Sequence, residues 1–141
     1  MKIYRVQKEN GDGPFNSGVT GLRIQFYLTG PNHPTPQHDR FKSDDKYGGY
    51  AYCKLFGCES LEHLQHWFNP YKIFSGSFGL LFANCIIEED KKVLLDNGFF
   101  IAVYDCPDDH IQIGKSKRQV LFDESMSELV DRLSIEKLYE L

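Results

Sequence analysis

Several groups of residues have the types and spacing that chemistry needs, and the most suggestive group joins two distant pieces. Arg5 stands inside an alternating stretch, "KIYRVQK", and "IGKSKRQVLFD" at residues 113–123 gathers Lys115, Lys117 and Arg118 into one turn ahead of Gln119. A cationic turn beside a strand edge can hold a phosphate or carboxylate; it can equally be a solvated hairpin loop. An Arg in mid-strand ordinarily pairs with an acid or lies on a solvated face. The alternative is that Arg5 and Gln119 face one cleft, with Lys115 and Arg118 at its rim. A guanidinium binds phosphate or carboxylate bidentately, so such a cleft suits a nucleotide.

The other groups carry less. His63 and His66 fall at i, i+3 on a short helical pattern, with Cys53 and Cys58 upstream and His33 and His38 earlier. That spacing can share a metal, but paired-Cys and HExxH patterns are missing and the helix turns His66 outward, so no metal is expected. Cys106 near His110 is the one candidate Cys–His pair. Asp105, Asp108 and Asp109 beside it would raise a thiol pKa rather than lower it. The carboxylate pairs Asp44–Asp45, Glu88–Glu89 and Asp108–Asp109 sit in turns or at a helix start, where acids serve local structure. No glycine-rich phosphate loop appears.

The elements that must position these residues belong to a chain of 141 residues, the length of one domain with a real core. An aromatic content of 14% is high enough to imply bulky strand cores or an aromatic-lined groove. The net charge of −4 argues against sequence-independent binding along nucleic acid. No apolar run approaches the ~20 residues of a membrane span, and the first residues lack a secretory apolar region, so the expected location is the cytoplasm. The four cysteines are then expected as thiols, since a Cys53–Cys58 disulfide would need oxidising conditions.

Alternation predicts a first strand with Ile3, Arg5 and Gln7 on one face and Tyr4 and Val6 on the other. "LRIQFYL" predicts a second strand, and "YAYCKLF" a third that Gly57 breaks. Between them, residues 29–49 have no sustained period and carry three prolines, the marks of a mobile flap with little to bury. "ESLEHLQHWF" predicts a helix capped by Ser60, with Leu61, Leu64 and Phe68 inward and Pro70 at its end. "EEDKKVLLDNG" predicts a helix stopped by Asn97–Gly98; "SGSFGLLFANCII" before it is ambiguous. "FFIAVYD", apolar on both faces, predicts a central strand, followed by short strands at "IQI" and "QVLFD". "SMSELVDRL" offers a capping box and an apolar stripe, hence a C-terminal helix, with a further turn in "SIEKLYEL". The fold class is α+β: a mostly antiparallel, split sheet with inserted helices, in a single domain over 1–141.

"YRVQKENGDGPF", "FGCESLEHLQHWF", "LLDNGFFIAVYD" and "GKSKRQVLFD" together resemble a family of small phage and bacterial proteins that itself supplies no firm activity. More remotely, the order of a strand with Tyr-Arg, a flap and a strand with Val-Leu-Phe is similar to the ADP-ribosyltransferase fold. That resemblance implies NAD clasped by a split sheet, with Tyr4 and Arg5 on the dinucleotide and Gln119 at the catalytic position. A Glu is expected there, and a neutral Gln hydrogen-bonds but supplies no charge to an oxocarbenium-like transition state. Two functions follow as expectations. One is an ADP-ribosyltransferase-like domain binding NAD through Arg5, Gln119, Lys115 and Arg118, and modifying a host protein. The other is a non-catalytic phage-type protein that binds and inhibits a bacterial defence protein.

Overall fold

In the computed structural model, residues 1–15, 22–24, 36, 39–44, 49–51, 53–73 and 80–140 are described. The architecture is α+β, built on two small antiparallel sheets. The first runs in the order β1 (Lys2–Gln7), β3 (Phe100–Asp105), β6 (Glu128–Leu133). The second runs β2 (Lys54–Gly57), β5 (Val120–Asp123), β4 (Ile111–Ile113). They join at one bridge, where Tyr4 N–H donates to the Cys58 carbonyl at 2.8 Å and Cys58 N–H to the Tyr4 carbonyl at 2.9 Å.

Gly57 makes that junction. It ends β2 as the sequence suggests, pairing with Val120 in the last register position of the strand. A Cβ there would stand 2.5 Å from Ile3 Cγ2 and 3.0 Å from the Tyr4 carbonyl, so only glycine lets the sheets approach.

The alternation of β1 divides the core as predicted. Ile3 packs with Ala102, Tyr104, Val120 and Phe122 between the two sheets. Val6, with Tyr4 beside it, packs against Leu64, Phe68, Leu94, Ile101 and Leu138 on the helical side. β3 is central and buried on both faces, also as predicted.

The helices follow from local signals with two adjustments. Ser60 accepts from His63 N–H and caps α1 (Leu61–Gln65), which buries Leu64 and, just beyond it, Phe68. Pro70 does more than end that segment: it opens α2 (Pro70–Ile73), a position where the missing N–H costs nothing, while the Asn69 side chain accepts from Tyr71 N–H. α3 (Leu80–Asp96) begins before the acidic run, within the ambiguous stretch. It ends as expected at Gly98, whose φ of +77° lets Phe99 N–H reach the Leu94 carbonyl.

Three expectations are corrected. Residues 22–24 form no strand; Arg23 and Ile24 sit in a 3-10 turn whose N–H groups donate to the buried Asp90 carboxylate, and 25–28 lie outside the described residues. The helix expected over 125–133 is instead a 3-10 turn at Glu124–Met126 and the strand β6. Tertiary pairing overrides the helical stripe there, because β3 needs a partner for its second edge and buried backbone groups cannot go unpaired. The further turn at Ile135–Tyr139 is present, as 3-10 helix with Ile135 and Leu138 buried. Finally, within 29–49 the described residues include no helix or strand, yet Asp39 and Phe41 are buried, contrary to the expectation of little to bury; the rest of that range lies outside the described residues. Among the described residues no helix is long and apolar enough to cross a membrane.

Candidate functional site

Where β1 passes the end of β2, the chain leaves a cavity of about 340 Å³. Arg5 and Val6 lie on one side, and Phe56, Gly57 and Cys58 on the next. Leu64, Trp67 and Phe68 come from α1 and the turn after it, and Gly13, Pro14 and Phe15 from the loop after β1. Pro36 and Gln119 also line the wall. Phe15 stacks on Phe68 with centroids 5.4 Å apart. Among the described residues the lining is aromatic and apolar, apart from one cation and one amide.

The cation is Arg5, only 9% exposed. Its Nε donates to Gln7 Oε1 at 3.2 Å, Nη1 to the Phe56 carbonyl at 2.7 Å and Nη2 to the Gly11 carbonyl at 2.7 Å. Tyr104 Oη also donates to Gln7 Oε1, at 3.1 Å, so Gln7 is the shared acceptor of a buried network. Ala102 stands opposite Arg5 in the register, and its small side chain leaves the guanidinium room. All three acceptors are neutral. Among the described residues no carboxylate comes within ion-pair distance of Arg5. Burial pushes the guanidinium below its ordinary pKa, with Tyr104, Asp12 and Glu124 pulling it back up; it stays a cation, because guanidinium does not deprotonate in proteins.

Gln119, 7% exposed, lines the same cavity, so the structure brings these two predicted residues together. Its Nε2 donates to Asp39 Oδ2 at 2.8 Å. Tyr4 lies on the opposite face of β1, against the helical core, and is not among the lining residues. Nor are Lys115 and Arg118, which sit in the β4–β5 turn. Arg118 contributes through its backbone: its carbonyl accepts from Trp67 Nε1 at 3.2 Å and from Cys58 Sγ at 3.6 Å, holding the aromatic wall to the turn. Gln7 and Asp39 were missed in the sequence. Neither belongs to a motif; the one signal for Asp39 is an acid that could complement a distant cationic turn.

All four cysteines are unpaired, and burial pushes the Cys58 thiol up to about 12. Cys106 is buried, with its sulfur near the carbonyls of Pro107, His110 and Asp123. His63 is exposed and His66 half-buried, and burial with the nearby Lys72 and Arg118 charges lowers the His66 pKa. Among the described residues no three of His, Cys, Asp and Glu converge as a metal site; His33 and His38 lie outside them.

A known protein family matches the chain. The profile of the Bacteriophage T4 Y00F protein family matches residues 1–83 and 81–136. The chain belongs to this phage family. No curated protein and no solved structure matches it, and the resemblance to ADP-ribosyltransferases finds no support in these comparisons. The family description names no activity, so function for this phage protein rests on the geometry of the cavity.

Proposed function

We propose that the cavity binds a small ligand with one anionic or strongly accepting group on a flat apolar body, a nucleotide being the class that suits it best. The observation that carries this reading is Arg5: a buried cation held by neutral oxygens alone, in an aromatic wall. Burying an unpaired charge is costly, and a site that receives an anion is a physical reason to keep one. A volume of about 340 Å³ is at the lower end of small-molecule sites, which favours one nucleoside moiety over a whole dinucleotide. NAD would then enter by one half. ADP-ribosyl transfer to a host protein is the finer form of this reading; with Gln119 neutral, binding with little or no turnover is expected.

The test is calorimetric titration of AMP and NAD. Heat is expected, and Arg5→Ala should weaken binding by ~1.5–3 kcal/mol, the worth of hydrogen bonds to a charged group. Gln7→Glu guards against a variant that misfolds, because it gives Arg5 a carboxylate without changing size and should abolish binding in a folded protein. Absence of heat from either nucleotide, or unchanged affinity in Gln7→Glu, would remove the proposal.

One observation favours the second reading, a non-catalytic protein that binds and inhibits a bacterial partner. Met126, Leu129 and Val130 are 50%, 41% and 44% exposed on and beside the edge strand β6. Capture of one stoichiometric bacterial protein, lost on Leu129→Asp, is the outcome it expects.

A further inference from the structure

The β4–β5 turn already holds an anion, and that anion is the chain's own. Asp39 is 2% exposed. Its Oδ1 accepts from Ser116 N–H at 2.8 Å and its Oδ2 from Gln119 Nε2 at 2.8 Å, while its carbonyl accepts from Lys115 N–H at 3.0 Å. Gly114 makes the seat possible: a Cβ there would stand 2.5 Å from Asp39 Cγ and 2.6 Å from Oδ2. Both sides of the contact are strained, with Arg40 at φ +58° next to the carboxylate and Lys117 at φ +62° in the turn. Non-glycine residues hold such angles when surrounding contacts force them.

Charge is in surplus here. Lys115 and Lys117 are exposed and Arg118 half-exposed, and among the described residues none of these side chains has an ion-pair partner. The turn that seats this single carboxylate thus carries three cations in its sequence. Two converging N–H donors, a glycine floor and excess positive charge make a receptor for an oxyanion.

We infer that residues 114–119 form an oxyanion site, for phosphate or carboxylate, which Asp39 fills in the ligand-free protein. An external oxyanion and the Asp39 carboxylate compete for Ser116 N–H and the Gln119 amide. Because Gln119 also lines the Arg5 cavity, occupancy of the turn sets how that amide is held. The inference stands on the turn's own geometry and does not require the cavity to bind a nucleotide.

The experiment compares wild type, Asp39→Ala and Asp39→Asn by thermal melting in phosphate, formate and chloride at matched ionic strength. Asp39→Ala should melt lower in chloride and recover in phosphate and in formate, binding them at least about ten-fold more tightly than wild type. Asp39→Asn keeps the seat filled by a neutral group and should show no recovery. Formate reports the two N–H donors; recovery by phosphate that drops on adding Lys115→Ser and Arg118→Ser reports the surrounding cations. If Asp39→Ala does not fold in chloride, its refolding yield in formate and phosphate is the readout, and a gain supports the site. Indifference of Asp39→Ala to both anions, equal response of wild type, or no gain in refolding overturns it.

Discussion

Arg5 and Asp39 are both charged and both buried, and each touches the surroundings of one cavity, yet the fold treats them differently. Asp39 is met by N–H donors inside a turn that carries three cations, so positive charge lies on the same turn although none of it pairs with the carboxylate. Arg5 is met by carbonyls and an amide oxygen from three separate stretches, so its hydrogen bonds are satisfied while its charge is not. Hydrogen bonding and charge neutralisation are separate requirements of a buried ion. A residue that meets the first alone still projects a field. Among the described residues the Arg5 cavity has no carboxylate in its wall, whereas the turn that seats Asp39 carries cations of its own.

The strongest way to break this contrast is to empty the finished seat. Asp39→Ala should cost ~2–4 kcal/mol in chloride, because it removes the buried charged acceptor of Gln119 Nε2 and of Ser116 N–H. A chemical denaturation midpoint close to wild type would show that the carboxylate does not hold the turn. The unfinished site should respond to its neighbour Gln7. Gln7→Leu leaves both Arg5 Nε and Tyr104 Oη without their acceptor and should cost ~1–3 kcal/mol, while Gln7→Glu should stay within ~1 kcal/mol of wild type, since an ion pair is gained as a charge is buried. If Gln7→Glu were as damaging as Gln7→Leu, the account of Arg5 as an uncompensated cation would fail.

Gly57→Ala sharpens the comparison from the outside, since it presses on Ile3 and on the sheet junction that brings β1 to β2. Overpacking should cost ~1–3 kcal/mol and displace Phe56, whose carbonyl holds Arg5. Nuclear magnetic resonance shifts at Arg5 Nε that stay fixed in this variant would argue against a coupled junction.

The smallest effect concerns Asp90, a third buried charge that takes N–H donors from Arg23 and Ile24. Burial raises its pKa above the ordinary carboxylate value in spite of those bonds. The folded chain then keeps a proton that the unfolded chain releases, so stability falls as pH rises from the ordinary Asp value through the raised one. Asp90→Asn should flatten that part of the stability–pH curve. A curve unchanged in slope would assign the pH dependence to other groups.

How much of this was legible beforehand depended on the distance over which each feature is decided. β1, β3, β4, β5 and α1 follow from patterns a few residues long: alternation at Ile3–Arg5–Gln7, apolar character on both faces of Phe100–Asp105, and Ser60 three residues before the N–H it caps. The stop at Gly98 is equally local, since it needs only a residue that tolerates positive φ. The meeting of Arg5 and Gln119 was anticipated, though not their partners, which are mostly backbone carbonyls and a distant acid.

By itself, then, the sequence determined which short segments extend or coil and which face of each is apolar, because those choices rest on side-chain spacing and on caps within one turn. Only the tertiary structure decided the state of 128–133. Its apolar residues satisfy a helical period, but β3 presents an edge whose buried N–H and carbonyl groups must be paired, and that demand outweighs local propensity. It also decided that Arg5 keeps an uncompensated charge while the cationic turn receives Asp39. The Gln119–Asp39 bond spans 80 residues of chain, and no spacing rule reaches that far; it exists because the fold sets Asp39 against β5 and the turn before it.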